Sequence, residues 1–127
     1  MATYNGEKYI KDQLDSILKQ IQSSDEVIIS DDGSQDSTRY IIEEFQKQYK
    51  NVYLVDGPKR GVQKNFENAL KHAKGDILFL SDQDDIWMDG KVKRVLKEFE
   101  DSWIKGSTAS IIIFYKIAII WNTCDRF

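Results

Sequence analysis

The 127-residue sequence has a single cysteine, Cys124, so no internal disulfide can form, and a lone reduced thiol fits the cytosol. It has no surplus of basic charge. Lys and Arg number 18 against 21 Asp and Glu, giving a net charge of -3 and a pI near 5.2, which argues against a nonspecific nucleic-acid binder. An acidic chain that handles phosphates usually needs a metal. No long apolar run is present: the stretch from Ile111 to Trp121, interrupted by Lys116, falls far short of the roughly 20 residues of a membrane-spanning helix. The opening MATYNGEKYIKDQ lacks the apolar core flanked by basic residues of a signal peptide, so the expected location is cytoplasmic, with peripheral attachment to the inner face of the membrane compatible. There is no repeat and no Pro- or Ser-rich linker. The one histidine, His72, lies in a lysine-rich helical pattern and reads as a surface residue.

What is present is an ordinary globular composition, 41% hydrophobic and 31% charged, in a length that suits one domain or part of one. Such a chain can bury on the order of two thirds of its unfolded surface without disulfides. Ile10, Leu14, Ile17, Leu18 and Ile21 share one face of a helix expected over residues 7–21, opened by Asn5 and Gly6. The β-branched run Glu26–Ser30 reads as a buried strand that ends in Asp31-Asp32-Gly33-Ser34. A second helix is expected from N-cap candidates at Asp36 to Thr38, with Ile41, Ile42, Phe45 and Tyr49 as its stripe.

Asn51–Val55 is the next expected strand, closed by Asp56-Gly57-Pro58. Val62, Phe66, Ala69, Leu70 and Ala73 mark a third helix with Gly75 as a left-handed cap, and Asp76–Leu80 a third buried strand. Val92, Val95, Leu96 and Phe99 mark a last helix, and beyond Trp103 the pattern fades. Alternating strands and helices predict an α/β fold with a mainly parallel sheet, in which ligands bind at the carboxyl ends of the strands. Both acidic loops, 31–34 and 82–85, fall at such ends.

Asp82 and Asp84, one residue apart after a strand, can turn both carboxylates toward one hard cation. Magnesium or manganese suits them, because these ions use one or two carboxylates together with substrate phosphates. Alternatively, Asp82, Asp84 and Asp85 cap the helix that follows. In the first loop, one aspartate can accept hydrogen bonds from a nucleobase edge, with Tyr4 stacking on the same base, or the loop is an Asx-type turn with Gly33 at positive φ and Tyr4 packs near the terminus. Lys59, Arg60 and Lys64 form a basic cluster open to two readings, a phosphate contact at Lys64 or a solvated helix face. Trp87 is either a packing anchor or a sugar platform.

Ala2-Thr3-Tyr4-Asn5-Gly6-Glu7, then Ile29-Ser30-Asp31-Asp32-Gly33-Ser34 with Asp36, then Asn65, then Gly75-Asp76 and Leu80 to Trp87 (LSDQDDIW) resemble, in order and spacing, the family-2 glycosyltransferases of bacteria, particularly the rhamnosyltransferase-like members of polysaccharide assembly. The resemblance spans about residues 1–103, leaving 104–127 as an atypical tail. It implies a GT-A fold, a Rossmann-like sandwich with a mainly parallel sheet. It also implies a nucleotide-diphospho-sugar donor, a Mn or Mg cofactor, inversion at the anomeric carbon, and a saccharide or lipid-linked acceptor. By matching positions, Ala2, Thr3, Tyr4 and Glu7 line the nucleoside pocket, Asp31 or Asp32 contacts the base, and Lys64 stands where relatives carry a basic residue. Asp82 to Asp84 form the DxD motif, with Asp84 the foremost metal ligand and Asp82 and Gln83 toward the ribose and diphosphate.

The sequence departs from that pattern at both ends. Almost nothing precedes the Thr-Tyr-Asn loop, so the sheet is expected to lack its first strand. Residues 104–127 do not resemble the acceptor-binding half, so no general base is assigned and the expectation is a truncated domain with strongly reduced turnover. Two rivals stand beside this reading: a receiver-like magnesium-binding phosphoacceptor module, which needs a lysine after a further strand and for which Lys116, embedded in an apolar run, is a poor candidate, and a non-catalytic remnant that pairs with another chain, including a second copy, through its sheet edge.

Overall fold

The computed structural model describes residues 1–105 together with 113–114 and 117–118. Its elements run β1 (Ala2–Thr3), α1 (Ile10–Leu18), β2 (Val27–Asp31), α2 (Thr38–Gln48), β3 (Val52–Asp56), α3 (Val62–His72), α4 (Lys91–Lys105), β4 (Ile113–Phe114) and β5 (Ile117–Ala118). Strands β1, β2 and β3 form a parallel sheet in that order, and β4 and β5 pair antiparallel. This is the α/β architecture expected, with helical crossovers joining parallel neighbours.

The predicted stripes of α1 and α2 pack against the sheet, although Tyr49 at the end of the second is exposed, as is Val62 at the start of the α3 stripe. Ile10, Leu14 and Ile17 of α1 and Ile42 and Phe45 of α2 join Val27 and Ile29 of β2 and Val52 of β3 in one core, which Trp87 and Val92 extend. Ile10, Leu14, Ile29 and Ile42 are fully enclosed, each such side chain stabilising the fold by about 1.5–3 kcal/mol. The first helix is shorter than the apolar stripe suggested: it stops at Leu18, and Ile21 packs on the core from the turn beyond.

Helix α3 crosses the carboxyl ends of all three strands and is tied to them by two asparagines one turn apart. Asn65 Nδ2 donates to Thr3 O at 3.2 Å and Ser30 O at 2.8 Å. Asn68 Nδ2 donates to Ser30 Oγ and to Asp56 O, both at 2.9 Å. The chain can pass beneath this helix only because residue 57 has no side chain: a Cβ on Gly57 would lie 2.5 Å from Asn65 Oδ1, 2.7 Å from Asp31 O and 2.8 Å from Asp32 Cα.

Three expectations are corrected. The first strand is present over Ala2 and Thr3, which pair with Ser30 and Asp31. By contrast, Asp76–Leu80 is not a strand of this sheet; Phe79 makes an isolated bridge and Ile77 is 40% exposed. A two-residue β1 offers too little edge for a five-residue ladder, so the segment lies beside an apolar groove of about 650 Å³ bordered by Ile28, Tyr53, Leu70, Ile77 and Phe79. Finally, Gly75 is not a left-handed cap, because α3 ends at His72 and the chain turns extended at Ala73. Helix α4 runs through residue 103, while most of 104–127, including Lys116 and Cys124, lies outside the described residues. No helix among the described residues is long and apolar enough to cross a membrane.

Candidate functional site

The loops at the carboxyl ends of β1 and β2 are laced together by side chains. Asn5 adopts positive φ (48°), which turns its amide to Ser34 Oγ at 2.9 Å while its Oδ1 accepts from Gln35 N at 2.8 Å. Gly6 N donates to Thr38 Oγ1 at 2.7 Å, and Asp36 accepts from Glu7 N and Thr38 N. Glu7, expected in the nucleoside pocket, instead accepts from Ser37 N at 2.9 Å and so caps the start of α2. Ala2 and Thr3 are buried. Their side chains belong to the interior, leaving Tyr4, 56% exposed, as the aromatic surface this loop presents.

The two aspartates that end β2 have different tasks. Asp31 is buried and accepts from Thr3 Oγ1 (3.0 Å), Ser34 N (3.0 Å), Ser34 Oγ and Arg39 Nη1 (3.2 Å). Burial alone would raise its pKa, but the donors of Ser34, Arg39 and Thr3 outweigh it and hold the carboxyl below the usual carboxylate range. Arg39 also reaches Asp56 at 2.9 Å, bridging the ends of β2 and β3. Asp32 faces outward and accepts from Lys59 N at 2.6 Å and Gly61 N at 2.9 Å. A carboxylate has about four acceptor positions, so Asp32 keeps capacity that the enclosed Asp31 lacks.

Although Asp76–Leu80 does not pair as a strand, the acidic loop that follows is brought to the same edge. Gln13 Nε2 donates to Ser81 Oγ at 2.6 Å, Trp87 N to Ser16 Oγ at 3.0 Å, and Tyr4 N to Gln83 Oε1 at 3.0 Å. Trp87 is a packing anchor, buried, with Phe79 at 5.5 Å and the Lys91 ammonium 4.7 Å over its ring. Asp82, Asp84 and Asp85 are exposed. Asp82 has a raised pKa, chiefly because crowding of the loop desolvates its carboxyl and further because Asp84 and Asp85 repel its charge.

That repulsion is what a dication would relieve, so the loop fits a divalent metal. Among the described residues no group of three or more His, Cys, Asp and Glu converges to enclose one. A divalent ion held there would take one or two of these carboxylates, its remaining positions falling to phosphate and water, as Mg²⁺ commonly does. Lys64 pairs with Glu67 at 2.7 Å on the exposed side of α3, where it acts as part of a solvated face. His72 is likewise exposed, bonded to Asn68 O. A receiver-like site is not favoured: Asp31 is fully engaged, and Lys116 lies outside the described residues.

The contacts that sequence patterns did not reveal are Arg39, Asn68 and the Gly6–Gln83 approach. Apart from Asp31, eight positions before Arg39, their partners lie well outside the element that carries them, where no local periodicity reports them.

Comparison with known proteins agrees with this geometry. The model of glycosyl transferase family 2 matches residues 1–121. A dTDP-rhamnosyl transferase of Shigella flexneri is 40% identical over 121 residues, 91% of this chain and 42% of that protein. A UDP-Glc:alpha-D-GlcNAc-diphosphoundecaprenol beta-1,3-glucosyltransferase of Escherichia coli is 33% identical over 93 residues, 73% of this chain and 36% of its own length. The chain thus spans less than half the length of these relatives. Among solved structures, S. aureus TarS 1-349 in complex with UDP superposes with a TM-score of 0.68 and 31% identity, over 80% of this chain and 30% of that one. The GT-A fold and the sequence match together show that the chain belongs to glycosyl transferase family 2.

Proposed function

We propose that this chain is the donor-binding part of a glycosyltransferase that takes a nucleoside-diphospho-sugar with Mn²⁺ or Mg²⁺ and serves polysaccharide assembly at the cytoplasmic side of the membrane. The observation that carries it is the convergence of Tyr4, Asp32 and the 82–85 carboxylates on one edge of the fold, in a family member whose solved neighbour holds UDP. In this reading Tyr4 stacks on the base, and Asp32 accepts from its amide or imide edge. Asp84, with Asp82, would hold the cation. When bound, the metal neutralises the charge that develops on the departing nucleoside diphosphate. The chain's own part is to orient: Asn5, Glu7 and Asp36 fix the loop that presents Tyr4, and the Asp31 turn fixes Asp32. Which sugar and acceptor are used, and turnover itself, belong to the whole protein.

Titration of the chain with UDP and dTDP, with and without MnCl₂, tests the proposal by calorimetry. Saturable, metal-enhanced binding is expected, reduced about tenfold or more in Asp84→Asn. Tyr4→Ala should lose the stacking contribution, about 1–3 kcal/mol per base. A folded chain that binds neither nucleotide under any of these conditions would refute the donor-site reading.

A further inference from the structure

Gln83 was expected to face the ribose and diphosphate, yet its side chain is turned back into the protein. Its amide forms a reciprocal pair with the backbone of Tyr4: Tyr4 N donates to Gln83 Oε1 at 3.0 Å, and Gln83 Nε2 donates to Tyr4 O at 3.2 Å. The pair joins residues 79 positions apart and replaces, with one side chain, the ladder contact that Asp76–Leu80 does not make with β1. Gly6 makes room for it, since a Cβ there would lie 2.3 Å from Gln83 Oε1 and 2.7 Å from Gln83 Cδ. Within its own loop, Gln83 N donates to Asp82 Oδ1 at 3.0 Å, so the residue that grips Tyr4 also fixes the carboxylate beside it.

We infer that Gln83 is a positioning residue that couples the metal-binding aspartates to the base-stacking tyrosine, setting the distance between the two ends of a bound nucleoside diphosphate. It rests on the donor-site reading above. A nucleoside diphosphate has a fixed span between base and phosphates, so a metal on Asp82 and Asp84 strengthens binding only while the base still meets Tyr4. Gln83 holds that register with both groups of its amide. Its contribution lies in the cooperation between metal and nucleotide, whereas the affinity for nucleotide alone depends on Tyr4 and Asp32.

Gly6 supplies a perturbation that displaces the Gln83 side chain without removing it. Gly6 lies outside the positive-φ residues, so alanine suits its backbone, and the atom it strikes is the end of a flexible side chain that can swing aside. Gly6→Ala, Gln83→Ala and the double variant are to be compared with the unaltered chain by titration of UDP and dTDP, without metal and with saturating MnCl₂. Each single variant should lower the enhancement of nucleotide affinity by Mn²⁺ about tenfold and change metal-free affinity less than about threefold. The double variant should be no worse than either single one, because both break the same contact. In the metal-free chain, the Tyr4 amide should be protected from hydrogen exchange and lose that protection in both variants.

An unchanged enhancement by Mn²⁺ in folded Gln83→Ala, additive losses in the double variant, or an unprotected Tyr4 amide in the unaltered chain would each overturn the inference. If Gln83→Ala does not fold, Gly6→Ala decides alone. Failure of the unaltered chain to bind either nucleotide sinks the donor-site reading and the inference with it, a result distinguishable from binding whose metal enhancement ignores Gln83.

Discussion

Asp31 and Asp82 are carboxylates at one edge of the fold whose environments push them in opposite directions, and their consequences can be measured separately. Asp31 is held ionised by Ser34, Arg39 and Thr3, its pKa below the ordinary aspartate range. A depressed carboxylate contributes stability that is present above its unfolded pKa and lost as pH falls through the folded one, so acid unfolding should begin below about pH 4. Asp31→Ala, which leaves Arg39 and the Ser34 turn without their acceptor, should cost about 3 kcal/mol in urea denaturation and flatten that acid limb. Asp82 has the opposite sign. Its pKa is raised above the ordinary aspartate range, so its ionised form costs folded stability above the raised value, and its charge is lost at a higher pH than that of an isolated aspartate. Mn²⁺ binding, followed by calorimetry, should therefore weaken at a pH where isolated aspartates are still ionised. Asp82→Asn should raise metal-free stability at pH 7 by about 0.5 kcal/mol, the scale of a surface charge pair, while weakening Mn²⁺ binding.

Helix α3 bears more of the site's geometry than its amphipathic stripe discloses. The stripe was legible in part: Ala69 is buried where the period placed it while Val62 is exposed, and Ile10, Leu14 and Ile17 in α1 and Ile42 and Phe45 in α2 are buried as expected. Strands β2 and β3 were legible as well, because β-branched runs bounded by turn residues have a local signature. What had none was the reach of Asn65, whose amide meets carbonyls 62 and 35 positions away. Asp76–Leu80 was misread for a related reason: its composition suits a strand, but a strand needs a partner edge, and β1 offers two residues. In the candidate site, the aspartates and Tyr4 were legible as residue types. The distinction between buried Asp31 and outward Asp32, the capping role of Glu7 and the clamp of Gln83 all depend on contacts that residue spacing does not encode. Helix α3 also yields a direct test. Gly57→Ala pushes a methyl into the Asp31 carbonyl, the Asp32 Cα and the Asn65 amide, so a loss of about 1–3 kcal/mol is expected. Asn65→Ala should cost about 2 kcal/mol through unpaired carbonyls of Thr3 and Ser30, and thermal melts of the two variants compare them.

At the scale of the molecule, the three-stranded sheet is the part held by a continuous hydrogen-bonded ladder, and residues 74–87 are tied to the rest of the fold chiefly through side-chain hydrogen bonds, with only an isolated bridge at Phe79 among the described residues. Gln13, Ser16, Gln20, Glu26 and Tyr4 supply those attachments, Glu26 by accepting from Lys74 N and Gly75 N. Between ladder and loop lies the apolar groove of about 650 Å³, flanked by Met1, Ile28 and Phe79. Stability should accordingly be uneven: ladder amides open with the core, whereas a segment outside the ladder opens locally at far lower cost. Native-state hydrogen exchange should find Ile29 and Ser30, both fully buried, exchanging only through global unfolding. Amides of Ile77 and Leu78 should exchange within about tenfold of free-peptide rates, since near-zero opening energy gives almost no protection. The groove should also bind an apolar dye under native conditions, and Ile77→Lys at its rim should reduce that signal without lowering the melting temperature, because Ile77 lies 40% exposed outside the core. Protection of Ile77 and Leu78 equal to that of Ile29 would show instead that the segment pairs with β1 in solution, and that a two-residue edge suffices to seat it.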